Sequence, residues 1–182
     1  MPGVTEDGNN NEIMEDCLKR LAAGETSAVE KLYELTRSQV YGYILSILRN
    51  TSDAEDILQD TYVKLCLNAD QYTPRGKPLA WILTIARNLC LMKLRGRKRI
   101  ADVPDFDWES VVDENGGPDS EDRMLLEAAL SGLSEEESQI VMLHALSGLK
   151  HREIAQMMDM PLATVLSKYN RALKKLRKMI GE

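Results

Sequence analysis

The side chains of this chain best suited to chemistry are cations gathered in two runs. From Arg87 to Ile100 the charged residues are Arg87, Lys93, Arg95, Arg97, Lys98 and Arg99, with no acid among them. From Thr164 to Met179 they are Lys168, Arg171, Lys174, Lys175, Arg177 and Lys178, again without an acid. Clustered guanidinium and ammonium groups bind phosphate and release its counterions, so each run is a candidate polyanion surface. Between them, from Ala101 to Asp122, the sign inverts: Asp102, Asp105, Asp107, Glu109, Asp113, Glu114, Asp119, Glu121 and Asp122 have no base for company. The formal net charge of −6 therefore averages over blocks of opposite sign. The acidic block cannot itself approach a nucleic acid, so two binding surfaces separated by a non-binding segment are expected.

Other chemistries find little support. Cys17, Cys66 and Cys90 lack a CxxC spacing and sit in apolar periodic runs, which reads as small buried hydrophobes in a reducing compartment. His144 and His151 are too few and too separated for a dedicated metal cage. There is no carboxylate pair in a pocket-like context, no phosphate-cradling glycine loop and no nucleophile beside a base, so neither an enzyme nor a cofactor is expected. No apolar run reaches the roughly 18 residues of a membrane span. The first twenty residues are acidic and Asn-rich where a signal peptide would be basic and then apolar. The expectation is a cytoplasmic protein without membrane insertion.

The elements that must position the cations are helical. The acidic block also holds Pro104, Gly116, Gly117 and Pro118, which makes residues 101–120 a linker. Phe106 and Trp108 lie within it, either packing on a flanking domain or docking into a partner. The expected organisation is all-α, with two helical domains over 11–100 and 121–182 joined by that acidic linker and preceded by a disordered tail over 1–10. In the first domain a helix over Glu12 to Ala23 ends at Gly24, and a longer one starts at Ser27 and carries Leu32, Leu35, Ile44, Ile47 and Leu48. Thr51, Ser52 and Asp53 offer caps for the next. Its apolar stripe is Ala54, Ile57, Leu58, Thr61, Tyr62 and Leu65, spaced i, i+3, i+4, i+7, i+8 and i+11, which leaves Glu55, Asp56, Gln59, Asp60 and Lys64 on the outer face. A loop with Pro74, Gly76 and Pro78 leads to a helix from Leu79 to Arg95, apolar at Trp81, Ile82, Ile85, Leu89 and Met92.

In the second domain Ser134 and Glu137 form a capping box for a helix that Gly148 stops. A short helix over His151 to Met158, a turn through Asp159, Met160 and Pro161, and a helix from Leu162 to Met179 follow. The last has an inward stripe of Val165, Tyr169, Ala172 and Leu176 and an outer face of Thr164, Ser167, Lys168, Arg171 and Lys175. A tight turn between two amphipathic helices, the second basic outside, suits a recognition helix in the major groove. A merely solvated basic face has the same pattern, and a stand-alone helix-turn-helix regulator would carry this half alone.

The segments AEDILQDTYVKL (54–65) and AWILTIARNLCLMKLRGRKR (80–99) resemble region 2 of the extracytoplasmic-function (ECF) sigma factors of bacterial RNA polymerase. LSEEESQIVMLHALSGLKHREIAQMMDMPLATVLSKYNRALKKL (133–176) resembles their region 4. Two motifs in the family's order are far more specific than a lone helix-turn-helix. The resemblance implies a non-enzymatic initiation factor whose partners are core RNA polymerase, promoter DNA and an anti-sigma factor. It implies that Asp56, Gln59 and Asp60 dock on the clamp helices of the polymerase's largest subunit, where a carboxylate-amide-carboxylate ridge suits a basic helix. It implies that Arg87, Asn88, Lys93, Arg95 and Arg97 bind the minus-ten element, with the 71–78 loop walling a base pocket and Trp81 either stacking on a base or packing in the core. Arg152 would meet phosphate, while Thr164, Ser167, Lys168 and Arg171 would face the minus-thirty-five groove, with Leu166 either contacting DNA there or packing in the core against the preceding helix. Leu166 and Lys168 stand where family members commonly carry two basic residues, a departure that bears on base preference.

Overall fold

The computed structural model describes residues 5–98 and 128–181. The acidic stretch 101–120, with Phe106 and Trp108, lies outside them. All regular elements among the described residues are helical. They include α1 (Thr5–Ala22), α2 (Ala28–Leu48), α3 (Thr51–Leu67), a 3-10 turn (Ala69–Gln71), α4 (Pro78–Lys98), α5 (Glu135–Ser147), α6 (His151–Met157) and α7 (Leu162–Ile180).

The helices form where apolar residues recur at helical spacing, and they stop where the backbone is given a reason to stop. On α3 the buried residues are Ala54, Ile57, Leu58, Thr61, Tyr62 and Leu65, the expected stripe. Its cap is Asn50, one residue before the Thr51–Asp53 group expected to cap it: the Asn50 carboxamide oxygen accepts the Asp53 N–H at 2.9 Å. Asn50 holds the extended backbone that a cap requires, whereas Thr51 is already helical. The Ser134–Glu137 capping box is present, the hydroxyl accepting the Glu137 N–H at 3.3 Å and the carboxylate accepting the Ser134 N–H at 2.9 Å. Gly148 ends α5 at φ 62°, a left-handed conformation that glycine adopts without a Cβ clash.

One helix start and one buried position differ from expectation. α1 begins at Thr5, ahead of the Glu12 at which the sequence places the start of this helix. Met92, placed on the inner stripe of α4, is 60% exposed. Cys90 takes the inner position at that level and is fully buried.

The two halves pack against each other. Residues 42–48 of α2 are buried without a break, and a helix buried all round must be covered on every side. α1, α3 and α4 cover one part of its circumference and α5 covers the rest. One hydrophobic cluster accordingly runs from Leu18, Leu32, Tyr43 and Ile82 to Ile140, Leu143 and Val165. Each Leu, Ile or Val so buried contributes about 1.5–3 kcal/mol, against about 0–1 kcal/mol for a surface ion pair, so apolar contact dominates this packing. Polar ties lie around it. Arg49, at φ 50° beyond the end of α2, donates to the Leu133 carbonyl at 3.1 Å.

Candidate functional site

α3 buries one face and presents the other. Asp56, Gln59 and Asp60 are all exposed on that outer face, held there by the fully buried Ala54 and Leu65 opposite. The ridge continues through Val63 and Leu67, 60% and 75% exposed, which lie seven residues after Asp56 and Asp60 on the same side. Sequence reasoning missed these two. The available signal was apolar residues falling on a helix face that is otherwise polar.

The cations of α4 have protein partners. Lys93 Nζ lies 2.8 Å from Asp53 Oδ1 and 3.7 Å from Asp56 Oδ2, and Arg97 pairs with the other oxygen of Asp53. Arg87 is half-buried and its Nε reaches Gln139 Oε1 on α5 at 3.4 Å. Asn88 and Arg95 are exposed. Of the five residues assigned to the minus-ten element, three are thus engaged within the protein, a feature that charge counting cannot reveal.

The 71–78 loop leaves the 3-10 turn and enters α4 at Pro78. Gly76 sits at φ 72°. The Tyr72 and Trp81 rings pack at 5.1 Å between centroids, tilted by 57°. Trp81 is half-buried: it lines a cavity of about 340 Å³ together with Tyr72, Lys77, Thr84, Glu153 and Met157. The far wall of that cavity belongs to α6. Lys77 Nζ meets Glu153 Oε2 at 2.6 Å, and the same oxygen accepts the Lys150 N–H at 2.7 Å. The Lys77 ammonium, followed by the Lys150 amide, holds the Glu153 carboxyl below its ordinary range.

In the helix-turn-helix, Arg152, Ser167 and Arg171 are exposed and Thr164 is half-buried. Leu166 is 39% exposed, which turns much of it away from the preceding helices. Lys168, expected on the outer face, bends back: its side chain is only 22% exposed and its ammonium lies 2.5 Å from Glu136. Lys175 does likewise, 2.7 Å from Glu137. Long flexible stems allow both to lie along the helix surface and reach the acidic first turn of α5. Burial opposes ionisation of Glu137, but the Lys175 ammonium and the Ser134 amide outweigh it and its carboxyl sits below the ordinary range.

His144 and His151, distant in sequence, stack at 4.7 Å with the Tyr169 ring edge-on to both. His144 Nδ1 lies 2.8 Å from the Leu149 carbonyl oxygen. Burial, then the neighbouring His144, pushes His151 below its usual value, and the stacked rings with Tyr169 act as a packing element of this half. Among the described residues no group of three or more metal-ligating side chains converges. The Cys90 thiol is pushed up to about 12 by burial, which removes it as a nucleophile. No helix among the described residues is long and apolar enough to cross a membrane.

Comparison with known proteins agrees with the arrangement. The family model for Sigma-70 region 2 matches residues 32–100, and that for Sigma-70, region 4 matches residues 123–176. The chain is 28% identical over 183 residues to the ECF RNA polymerase sigma factor SigK of Mycobacterium ulcerans, covering 97% of this chain and 95% of that one. It is 28% identical over 167 residues to SigK of a Mycobacterium tuberculosis strain, covering 88% and 89%. In fold it is similar to the sigma factor RpoE of Bartonella quintana, solved with the anti-sigma factor NepR (TM-score 0.64, 22% identity, 83% and 95% covered). CnrH, solved with the cytosolic domain of CnrY, is similar as well (TM-score 0.59, 20% identity, 92% and 97% covered). With two sigma-70 regions following one another in order and sigma-factor relatives matched over nearly their whole length, this chain belongs to the sigma-70 family as an alternative, ECF-type sigma factor of transcription initiation.

Proposed function

We propose that this sigma factor acts in the cytoplasm, without catalysis of its own, by docking on core RNA polymerase through the outer face of α3 and presenting α4, the 71–78 loop and α7 to promoter DNA. The working units are an N-terminal one reaching to residue 100 and a C-terminal one from residue 121, with 101–120 as the connection. The observation that carries the reading is the Asp56–Gln59–Asp60 ridge opposite a fully packed stripe, for which a stand-alone helix-turn-helix regulator has no need. Fixed acceptors on a rigid helix suit a basic helical partner. Arg87, Asn88, Lys93, Arg95 and Arg97 serve the minus-ten element, chiefly by neutralising phosphate, and the 71–78 loop receives an unstacked base. Arg152, Thr164, Leu166, Ser167, Lys168 and Arg171 serve the minus-thirty-five element.

The packing of the two halves bears on this mechanism. α6 stands across the cavity beside the 71–78 loop, and Glu153 occupies Lys77 as a phosphate would. Promoter engagement therefore requires the halves to part. The similar fold of RpoE, solved with the anti-sigma factor NepR, supports an inhibitory protein partner for this chain as well.

The test is reconstitution. Mixed with core polymerase, the protein should co-purify and direct transcription from a subset of a random promoter library. Asp56→Lys with Asp60→Lys should lower core affinity at least about a hundredfold while shifting stability by only about 0.5 kcal/mol, both residues being exposed. Unchanged core binding with native helix content would make the ridge a solvated surface and end the proposal.

A further inference from the structure

α1 lies outside the stretch matched by the region 2 family model, which begins at residue 32, yet one of its side chains governs the 71–78 loop. Met14, Cys17, Leu18 and Leu21 bury the inner face of α1 and fix the helix against its neighbours. Glu15, half-buried at the edge of that face, turns toward the loop. Its Oε1 accepts two hydrogen bonds, from the Tyr72 hydroxyl at 2.5 Å and from the Gly76 N–H at 3.1 Å.

These donors lie at opposite ends of the loop, so a single acceptor on a rigid helix ties both. At the first end the tie passes to Trp81, because the Tyr72 ring packs on the indole. At the second it fixes the backbone immediately before Lys77. An added Cβ at Gly76 would meet nothing within 4 Å, and its φ of +72° lies where side chains are strained, so glycine is there to let the chain turn rather than to make room. Burial, with the adjoining Glu15 carboxylate, pushes the Tyr72 phenol up, so it remains a donor. Both walls of the cavity on the α4 side are thus set from α1.

We propose that Glu15 is a positioning residue for minus-ten recognition, holding the 71–78 loop in the shape that captures an unstacked promoter base. The proposal rests on the reading that this loop and Trp81 form the base pocket. Glu15 itself touches no DNA in this scheme. It removes the conformational freedom that the loop would otherwise lose on binding the base, a cost borne at every capture event by an unbraced loop.

The experiment uses reconstituted holoenzyme on a duplex promoter, with permanganate reactivity of unpaired thymines as the measure of opening and a base-substitution scan of the minus-ten element as the measure of selectivity. Glu15→Ala should reduce open complex at least about tenfold, the low end for losing one hydrogen bond to a charged acceptor, and flatten the base preference. Core affinity and minus-thirty-five binding should be unchanged. Glu15→Gln keeps a carbonyl acceptor at the same place and should restore both readouts to within about threefold, which a purely electrostatic role would not allow. Tyr72→Phe, which keeps the ring and loses the donor, should fall between and serves if Glu15→Ala fails to fold.

Native opening and selectivity in Tyr72→Phe and in a folded Glu15→Ala would overturn the brace while leaving the pocket standing. Should Trp81→Ala also leave the minus-ten preference of wild type intact, the pocket reading itself fails and the brace with it.

Discussion

The two halves of this sigma factor hold their cations in opposite ways. In the first, Lys93 and Arg97 converge on one acid, Asp53, across the α3–α4 interface. In the second, Lys168 and Lys175 each have an acid of their own, Glu136 and Glu137, consecutive in the first turn of α5. Asp53 is shared by two cations and Lys93 also reaches the exposed Asp56 at 3.7 Å, so neither cation is held by an acid of its own and both are expected to exchange these partners for phosphate. Glu137 is nearly inaccessible, with 2% of its side chain exposed, and it also caps α5. Its pair is built into the fold, and breaking one side leaves a buried charge. The lesson is that a basic residue in a recognition helix can belong to the scaffold.

The sharpest way to break this comparison is to remove the buried acid. Glu137→Ala should cost about 2–3 kcal/mol in urea unfolding, from the missing cap and the missing pair. Its carboxyl is depressed in the folded chain, so its contribution to stability is complete above the unfolded pKa of about 4.3 and is lost as pH falls through the lower folded value. Wild type should therefore lose stability more steeply than Glu137→Gln on acidification. If Glu137→Ala costs no more than an exposed substitution, the two halves do not differ and the contrast disappears.

A smaller effect is expected at the replaceable end. Arg95→Ala with Arg97→Ala should weaken promoter binding alike for all sequences and lower the log–log salt slope by roughly 0.7–0.9 for each phosphate no longer neutralised. A changed minus-ten preference at constant slope would make them base readers instead. Smallest of all, Leu166→Lys should raise minus-thirty-five affinity only about threefold and blur a preference for thymine, whose methyl an aliphatic side chain can contact. Stability should hold to about 0.5 kcal/mol. A drop of several degrees in Tm with every base preference intact would return Leu166 to the core.

Helical periodicity was enough to place the stripe of α3 residue for residue, the α5 capping box, the Gly148 stop and the turn through Asp159 to Pro161, because each depends on residues within a few positions of one another. The outer-face candidates Asp56, Gln59, Asp60, Ser167 and Arg171 followed from the same local rule. What escaped depends on long-range packing. Lys168 and Lys175 have the right spacing for an outer face, and only the placement of α5 gives them acids to reach. Nothing local signals that His144 and His151 stack, or that Glu15 lies beside Tyr72 and Gly76. The docking of α5 on α2 was hidden for a related reason: the apolar run at the end of α2 reads equally well as the interior of one domain or as a surface shared by two.

That shared surface sets how the protein responds to temperature. The joint between the halves is mainly apolar, and exposing apolar area carries a positive heat-capacity change. Cooling therefore weakens the joint, while added salt acts on its peripheral Lys77–Glu153 tie. Opening is governed by two physical variables that act on different parts of one interface, and a holoenzyme assembled in the cold starts from a looser chain than one assembled warm.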